Sequence, residues 1–161
     1  VSTQIIKQAM EIKTLERRKD MEENKKLLRK YKTLQQTIEE IKQHDIPEHI
    51  ADSINREINQ IESFTGGHED LAKRILKTQS KILKQVEKEL QLVPKNHYRN
   101  QWLALGMAAF GIPVGVAFGI SFDSMAFLGM GLPIGMIIGM AIGSVMDKKT
   151  VEKGKQLNIE L

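Results

Sequence analysis

Glycine recurs at every fourth position in two stretches of this chain, each with a proline at the same offset. The first is Gly111-Ile-Pro113-Val-Gly115-Val-Ala-Phe-Gly119; 20 residues on comes Gly131-Leu-Pro133-Ile-Gly135-Met-Ile-Ile-Gly139, continuing to Gly143. This internal repeat lies in apolar sequence from Trp102 to Met146 whose only charge is Asp123. Four-residue spacing puts the glycines on one helix face, where a second backbone can approach closely. In water such a helix is poor, because each interior glycine costs about 1 kcal/mol relative to alanine. In a bilayer the same glycines are a packing device.

A helix needs about 20 apolar residues to cross a hydrocarbon core of about 30 Å. Trp102 to Phe122 supplies 21 positions and Ser124 to Met146 supplies 23, separated only by the polar interruption Ser121-Phe122-Asp123-Ser124. A chain of 161 residues has little with which to bury that block in a soluble core. The block begins after residue 100, not where a secretory signal peptide would stand. Lys95, His97 and Arg99 precede the first span, Lys148, Lys149, Lys153 and Lys155 follow the second, and the tip has no lysine or arginine. The positive-inside rule therefore places both termini in the cytoplasm and Asp123 on the far side, with Tyr98 and Trp102 as interfacial anchors.

Asp123 is also a centre of symmetry. Pro113 lies 10 residues before it and Pro133 10 residues after, so a hairpin turning there sets both prolines about 15 Å from the tip. Gly111 then matches Gly135 in depth, and Gly115 matches Gly131. Each proline deprives a carbonyl of its helical donor, that of Ala109 and that of Gly129. Paired interruptions in two spans can mark a binding or permeation site as well as plain packing.

These residues resemble those of glycine-zipper membrane proteins, a loose class with repeated Gly-x-x-x-Gly in short helical hairpins. The resemblance covers residues 102–146 and implies self-association through Gly111, Gly115, Gly119, Gly131, Gly135, Gly139 and Gly143, as well as channel formation or oligomeric insertion in some members. The hairpin is superficially similar to the proton-translocating ring subunit of rotary ATP synthases. It departs from that pattern by carrying its carboxylate, Asp123, at the tip.

Residues 1–95 have a different character, rich in lysine, arginine and glutamate, with no glycine except Gly66-Gly67. Leu27, Tyr31, Leu34, Ile38 and Ile41 step by four and three, as do Ile50, Ile54, Ile58 and Ile61. Leu71, Ile75, Ile82, Val86 and Leu90 continue the pattern, with Thr78 filling one core slot. The periodicity predicts helices over about 3–43, 46–64 and 68–93. Asp45 and Glu48 are placed for a capping box at the second, and Glu69 and Asp70 suit the positive start of the third. Pro94 closes the third helix. The first helix presents more apolar stripe than the second can cover, so it must pack against both later helices, extend free or pair with another copy. Basic runs at Arg17-Arg18-Lys19 and Lys25-Lys26-Arg29-Lys30-Lys32 could meet anionic lipid or nucleic acid, and Glu22, Glu23 and the lack of stacking aromatics weaken the nucleic-acid reading.

Chemistry is thin. There is no cysteine, so neither a disulfide framework nor a thiolate site is possible. His44, Asp45, Glu48 and His49 lack metal-ligand spacing, Gly66-Gly67-His68 lacks a phosphate-loop lysine, and Ser121, Asp123 and Ser124 have no nearby histidine base. The sequence thus predicts an all-α, non-enzymatic protein without cofactor or metal. Its expected parts are a cytoplasmic helical coiled-coil region (1–95), a transmembrane hairpin (96–147) and a basic cytoplasmic tail (148–161). The expected function is a self-associating anchor or scaffold of the cell membrane. Its partners are the bilayer, further copies and a cytoplasmic protein, with no nucleic acid. The alternative is a gated oligomeric pore using Pro113 and Pro133 as midplane kink or gate. Tyr98, Arg99, Trp102, Asp123, Lys148 and Lys149 would set topology in either case.

Overall fold

The computed structural model of the protein describes residues 11–16 and 24–160. The start of the first expected helix and the Arg17-Arg18-Lys19 run lie outside the described residues. Its regular elements are helices and one short strand pair, and it divides into two units.

The first unit is a helical bundle of α1 (Lys25–Ile41), α2 (Glu48–Glu62) and α3 (His68–Leu90). The apolar periodicity becomes its core: Leu27, Tyr31, Leu34, Ile38 and Ile41 from α1, Ile50, Ile54, Ile58 and Ile61 from α2, and Leu71, Ile75, Ile82 and Val86 from α3 are all buried in one cluster. α3 packs against both α1 and α2. The first helix is much shorter than the expected 3–43. Asn24, in extended conformation, caps it by accepting a hydrogen bond from the Leu27 N–H at 3.1 Å, and residues 11–16 are not helical. Those residues instead close over the bundle. Ile12 and Leu15 enter the core, and Asn55 clamps the segment by accepting from the Lys13 N–H (2.7 Å) and donating to the Glu11 carbonyl (3.1 Å). The Tyr31 hydroxyl donates to the Glu16 carbonyl.

Two helix boundaries differ from expectation. α2 starts with Pro47 at its cap, with no side-chain hydrogen bond, so Asp45 and Glu48 form no capping box. Pro47 supplies a φ of −57° already suited to a helix start, and Asp45 then stands two positions too early. α3 stops at Leu90, short of Pro94, because Gln91 turns left-handed (φ 60°) and the Gln91 and Leu92 N–H groups reach back to the carbonyls of Glu87 and Val86. Glu69 and Asp70 do occupy the first turn of α3.

A polar layer interrupts the core. Gln79 donates to the Thr37 hydroxyl (3.0 Å), which itself donates to the Thr33 carbonyl (2.8 Å). Glu57, only 8% exposed, accepts from the Thr78 hydroxyl and is paired with Lys81. A buried carboxylate is tolerable only with such partners. On the surface, a hydrogen bond from His49 lowers the pKa of Glu89 below the ordinary carboxylate value. The stabilisation from that shift is therefore present at neutral pH and lost as pH falls through the folded-state pKa.

The chain's last residues return to this unit. Leu157 and Ile159 are buried in the bundle core, and the Asn158 N–H donates to Glu40 at 2.8 Å. Part of the segment expected as a basic tail (148–161) is thus a core element. Its reversal depends on Gly154, whose φ of 64° favours glycine, just before β2 (Gln156–Leu157) pairs with β1 (Val93–Pro94). Replacing the fully buried Leu157 by alanine is expected to destabilise the bundle by about 2–5 kcal/mol. Denaturant titration followed by circular dichroism checks this, and an unchanged midpoint would show that the tail adds nothing.

Candidate functional site

The second unit contains two helical stretches of 25 residues each, His97–Ser121 and Leu128–Glu152, both long and apolar enough to cross a membrane. The first runs as α4 (His97–Gly106), a π-helical turn (Met107–Gly111) and α5 (Ile112–Ser121); the second is α6 (Leu128–Glu152). Both extend beyond the expected limits of 102 and 146, while the second begins later than Ser124 because Met125–Phe127 forms a 3₁₀ turn. At the tip Asp123 is left-handed, φ 48°, a conformation that Asp tolerates better than most residues. The carboxylate that looked like a topology marker is therefore also the turn residue.

The two stretches meet backbone to backbone along the glycines. A Cβ added to Gly135 would stand 2.6 Å from the Gly111 Cα, and one on Gly131 would stand 2.6 Å from the Gly115 Cα. At Gly115 it would meet the Leu128 carbonyl oxygen at 2.6 Å, and at Gly139 the Trp102 carbonyl carbon at 2.8 Å. Gly143 lies against the backbone of Tyr98 and Arg99, both at 2.5 Å from such a Cβ. Gly111 is a little looser, 3.1 Å from the Gly131 oxygen. Gly119 stands apart from the seam, with ordinary contacts at 3.7 and 3.9 Å, and Gly129 faces open space.

Gly106 belongs to the seam although the four-residue ladder does not reach it. Its added Cβ would lie 2.7 Å from the Gly139 Cα. Five residues separate it from Gly111, which on a regular α-helix would rotate it off the face. The π-turn absorbs that extra residue: the Ile112 N–H donates to the Met107 carbonyl, five residues back. Pro113 has no N–H and cannot hold the regular ladder there, so the irregular turn falls immediately before it. The only sequence signal was a glycine one residue out of step ahead of a proline.

Pro113 and Pro133 both stand on exposed faces, not on the seam. Pro133 sits inside α6 and borders an open apolar groove of about 610 Å³ near the tip, with Phe118, Phe122 and Phe127; Pro113 is not part of its lining. Phe122 stacks on Phe127 with ring centroids 4.8 Å apart. Tyr98 and Trp102 are half-buried, whereas Arg99, Lys148 and Lys149 are exposed.

A residue missing from the sequence reading closes the other end. Asp147 is buried, 7% exposed, and its two carboxylate oxygens accept the backbone N–H groups of Tyr98 (3.0 Å) and Arg99 (2.9 Å). Those are first-turn donors of α4, orphaned because its own cap, Asn96, is left-handed and makes no side-chain cap. A carboxylate at a helix N-terminus also meets the positive end of the macrodipole. Gly143 lies one turn before Asp147 and lets the two backbones come near enough for this clasp. Its signal in the sequence was an acid at the boundary of the apolar block, easily read as the first surface charge. Elsewhere, His49 pairs with Glu89 at 2.6 Å, and among the described residues no group of three or more potential metal ligands gathers. No family model, curated protein or solved structure matches the chain.

Alanine improves helix propensity by about 1 kcal/mol over glycine, but at Gly135 it must push two backbones apart. Gly135→Ala is therefore expected to lower the thermal unfolding midpoint of the protein in detergent, whereas Gly119→Ala and Gly129→Ala should leave it level or raise it. An equal response at all three positions would refute the seam. Asp147→Ala leaves two part-buried donors unmet and is expected to cost about 1 kcal/mol or more, with Asp147→Asn, which keeps one acceptor, in between. The same unfolding measurement decides, and a neutral Asp147→Ala would show that the clasp is dispensable.

Proposed function

We propose that the protein is an integral-membrane anchor of two spans, with its helical bundle in the cytoplasm as the part presented to a protein partner. One observation carries this reading: the hairpin is inside out relative to a water-soluble helix pair. Its small residues and buried carboxylate face inward, while large aliphatic side chains face out, with Ile112 55%, Ile120 74%, Ile137 64% and Val145 56% exposed. In water each square ångström of such surface costs about 25 cal/mol, whereas lipid is as apolar as the side chains themselves. Exposed Arg99, Lys148 and Lys149 at the ends of the hairpin, against Asp123 alone at the tip, support cytoplasmic termini in the cell membrane.

Because the glycines are used within one hairpin, self-association in this reading runs through the outer aliphatic faces and not through the glycine ladder. A pore confined to a single hairpin finds no lumen where the backbones touch, and the two prolines do not meet across the seam. The conducting alternative is an oligomeric one, and its lumen would have to lie between hairpins.

The chain has no cysteine, so single introduced cysteines report topology cleanly. In intact cells, a cysteine at position 123 is expected to react with a membrane-impermeant maleimide, and one at exposed Gln36 only after permeabilisation. Reaction at position 36 in intact cells would overturn the orientation, and recovery of the protein in the alkaline-soluble fraction would overturn the anchor itself.

A further inference from the structure

On α1, Lys25, Arg29, Lys32 and Gln36 fall at i, i+4, i+7 and i+11, and all four are exposed. At 3.6 residues per turn this stripe lies opposite the buried face formed by Leu27, Tyr31, Leu34, Ile38 and Ile41. Lys26 borders it, half-buried Lys30 lies further round towards the core face, and no acidic residue occurs from Lys25 through Ile38. Other surfaces of the bundle have both signs interleaved and paired: Lys73 with Asp70, Lys81 with Glu57, His49 with Glu89, and Lys42 with Glu39 beyond the end of the stripe. Among the described residues, none of the five basic side chains on 25–32 forms an ion pair with a carboxylate.

We propose that this basic face of α1 binds the anionic headgroups of the membrane in which the hairpin is anchored. The inference rests on the anchor reading, because tethering is what keeps the bundle near a lipid surface. A cluster of four to eight lysines and arginines on an amphipathic helix is a pattern that recognises anionic lipid, and each such residue near the surface strengthens binding about fivefold. Single-stranded nucleic acid would need aromatic platforms as well as charge. Tyr31, the aromatic residue of α1, is 1% exposed and turned into the core.

The test uses the full chain with one introduced cysteine, Gln36→Cys, carrying a fluorophore and reconstituted in lipid nanodiscs. One set of discs is phosphatidylcholine alone and the other contains phosphatidylserine; both carry a headgroup-attached quencher. Quenching is expected to be strong in the anionic discs, weak in the neutral ones, and relieved by molar salt, which shortens the Debye length from about 10 Å to about 3 Å. Adding Lys25→Gln, Arg29→Gln and Lys32→Gln together should reduce the docked-to-undocked ratio about a hundredfold. Circular dichroism should be unchanged, since these positions point away from the core. Equal quenching in the two lipids, or an unaffected triple variant, would overturn the proposal while leaving the anchor standing. Binding of a short RNA in neutral discs that the triple variant loses would overturn it in favour of nucleic acid. Failure of the chain to enter even neutral discs would overturn both readings.

Discussion

Close approach of two backbones is the constraint on which the second unit depends. In the membrane setting proposed for the hairpin there is no hydrophobic drive between helices, so association would rest on van der Waals contact, and contact at this range requires the absence of a Cβ. Gly131, Gly135, Gly139 and Gly143 keep a strict four-residue step along α6; the facing chain presents glycine to the first three, while Gly143 meets the backbone of Tyr98 and Arg99. Gly115 and Gly111 fall on the seam directly. Gly106 does so only because the π-turn before Pro113 takes up one extra residue. The turn that looks like a defect keeps the seam in register.

Each end of that seam is fixed by a residue suited to one backbone requirement. Asp123 adopts a left-handed conformation at the tip. At the other end Asp147 satisfies the first-turn donors of α4 from across the hairpin. Both are carboxylates, yet one is exposed and serves the turn while the other is buried and serves as a cap. Their difference in role follows from burial and hydrogen-bond partners, not from residue type.

The bundle solves a different problem, that of choosing one packing among many for a set of isoleucines and leucines. Its apolar core supplies the drive, and the layer of Thr37, Gln79, Thr78 and Glu57 adds directional bonds that a shifted helix would break. Segments far apart in the chain complete it, with Ile12 and Leu15 from one side of the sequence and Leu157 and Ile159 from the other. Of the outcomes open to the apolar stripe of the first helix, the described residues show packing on pieces of the same chain.

Periodicity and composition were enough to determine the buried faces of the helices and the pairing of Gly111 with Gly135 and Gly115 with Gly131, because each of these depends on spacing along a regular helix; they did not determine where the first helix begins or the third ends. They were also enough for the two apolar spans, since length and hydropathy are local properties. Only the tertiary structure decided what depends on irregular backbone or distant contact. The π-turn that recruits Gly106 arises from a missing proline donor combined with a facing helix. The outward placement of Pro113 and Pro133 depends on which face the glycines claim. Asp147 becomes a cap only when Tyr98 and Arg99, 49 and 48 residues away, are brought to it. The end of the chain becomes core only because Leu157 and Ile159 find a gap that three helices leave open.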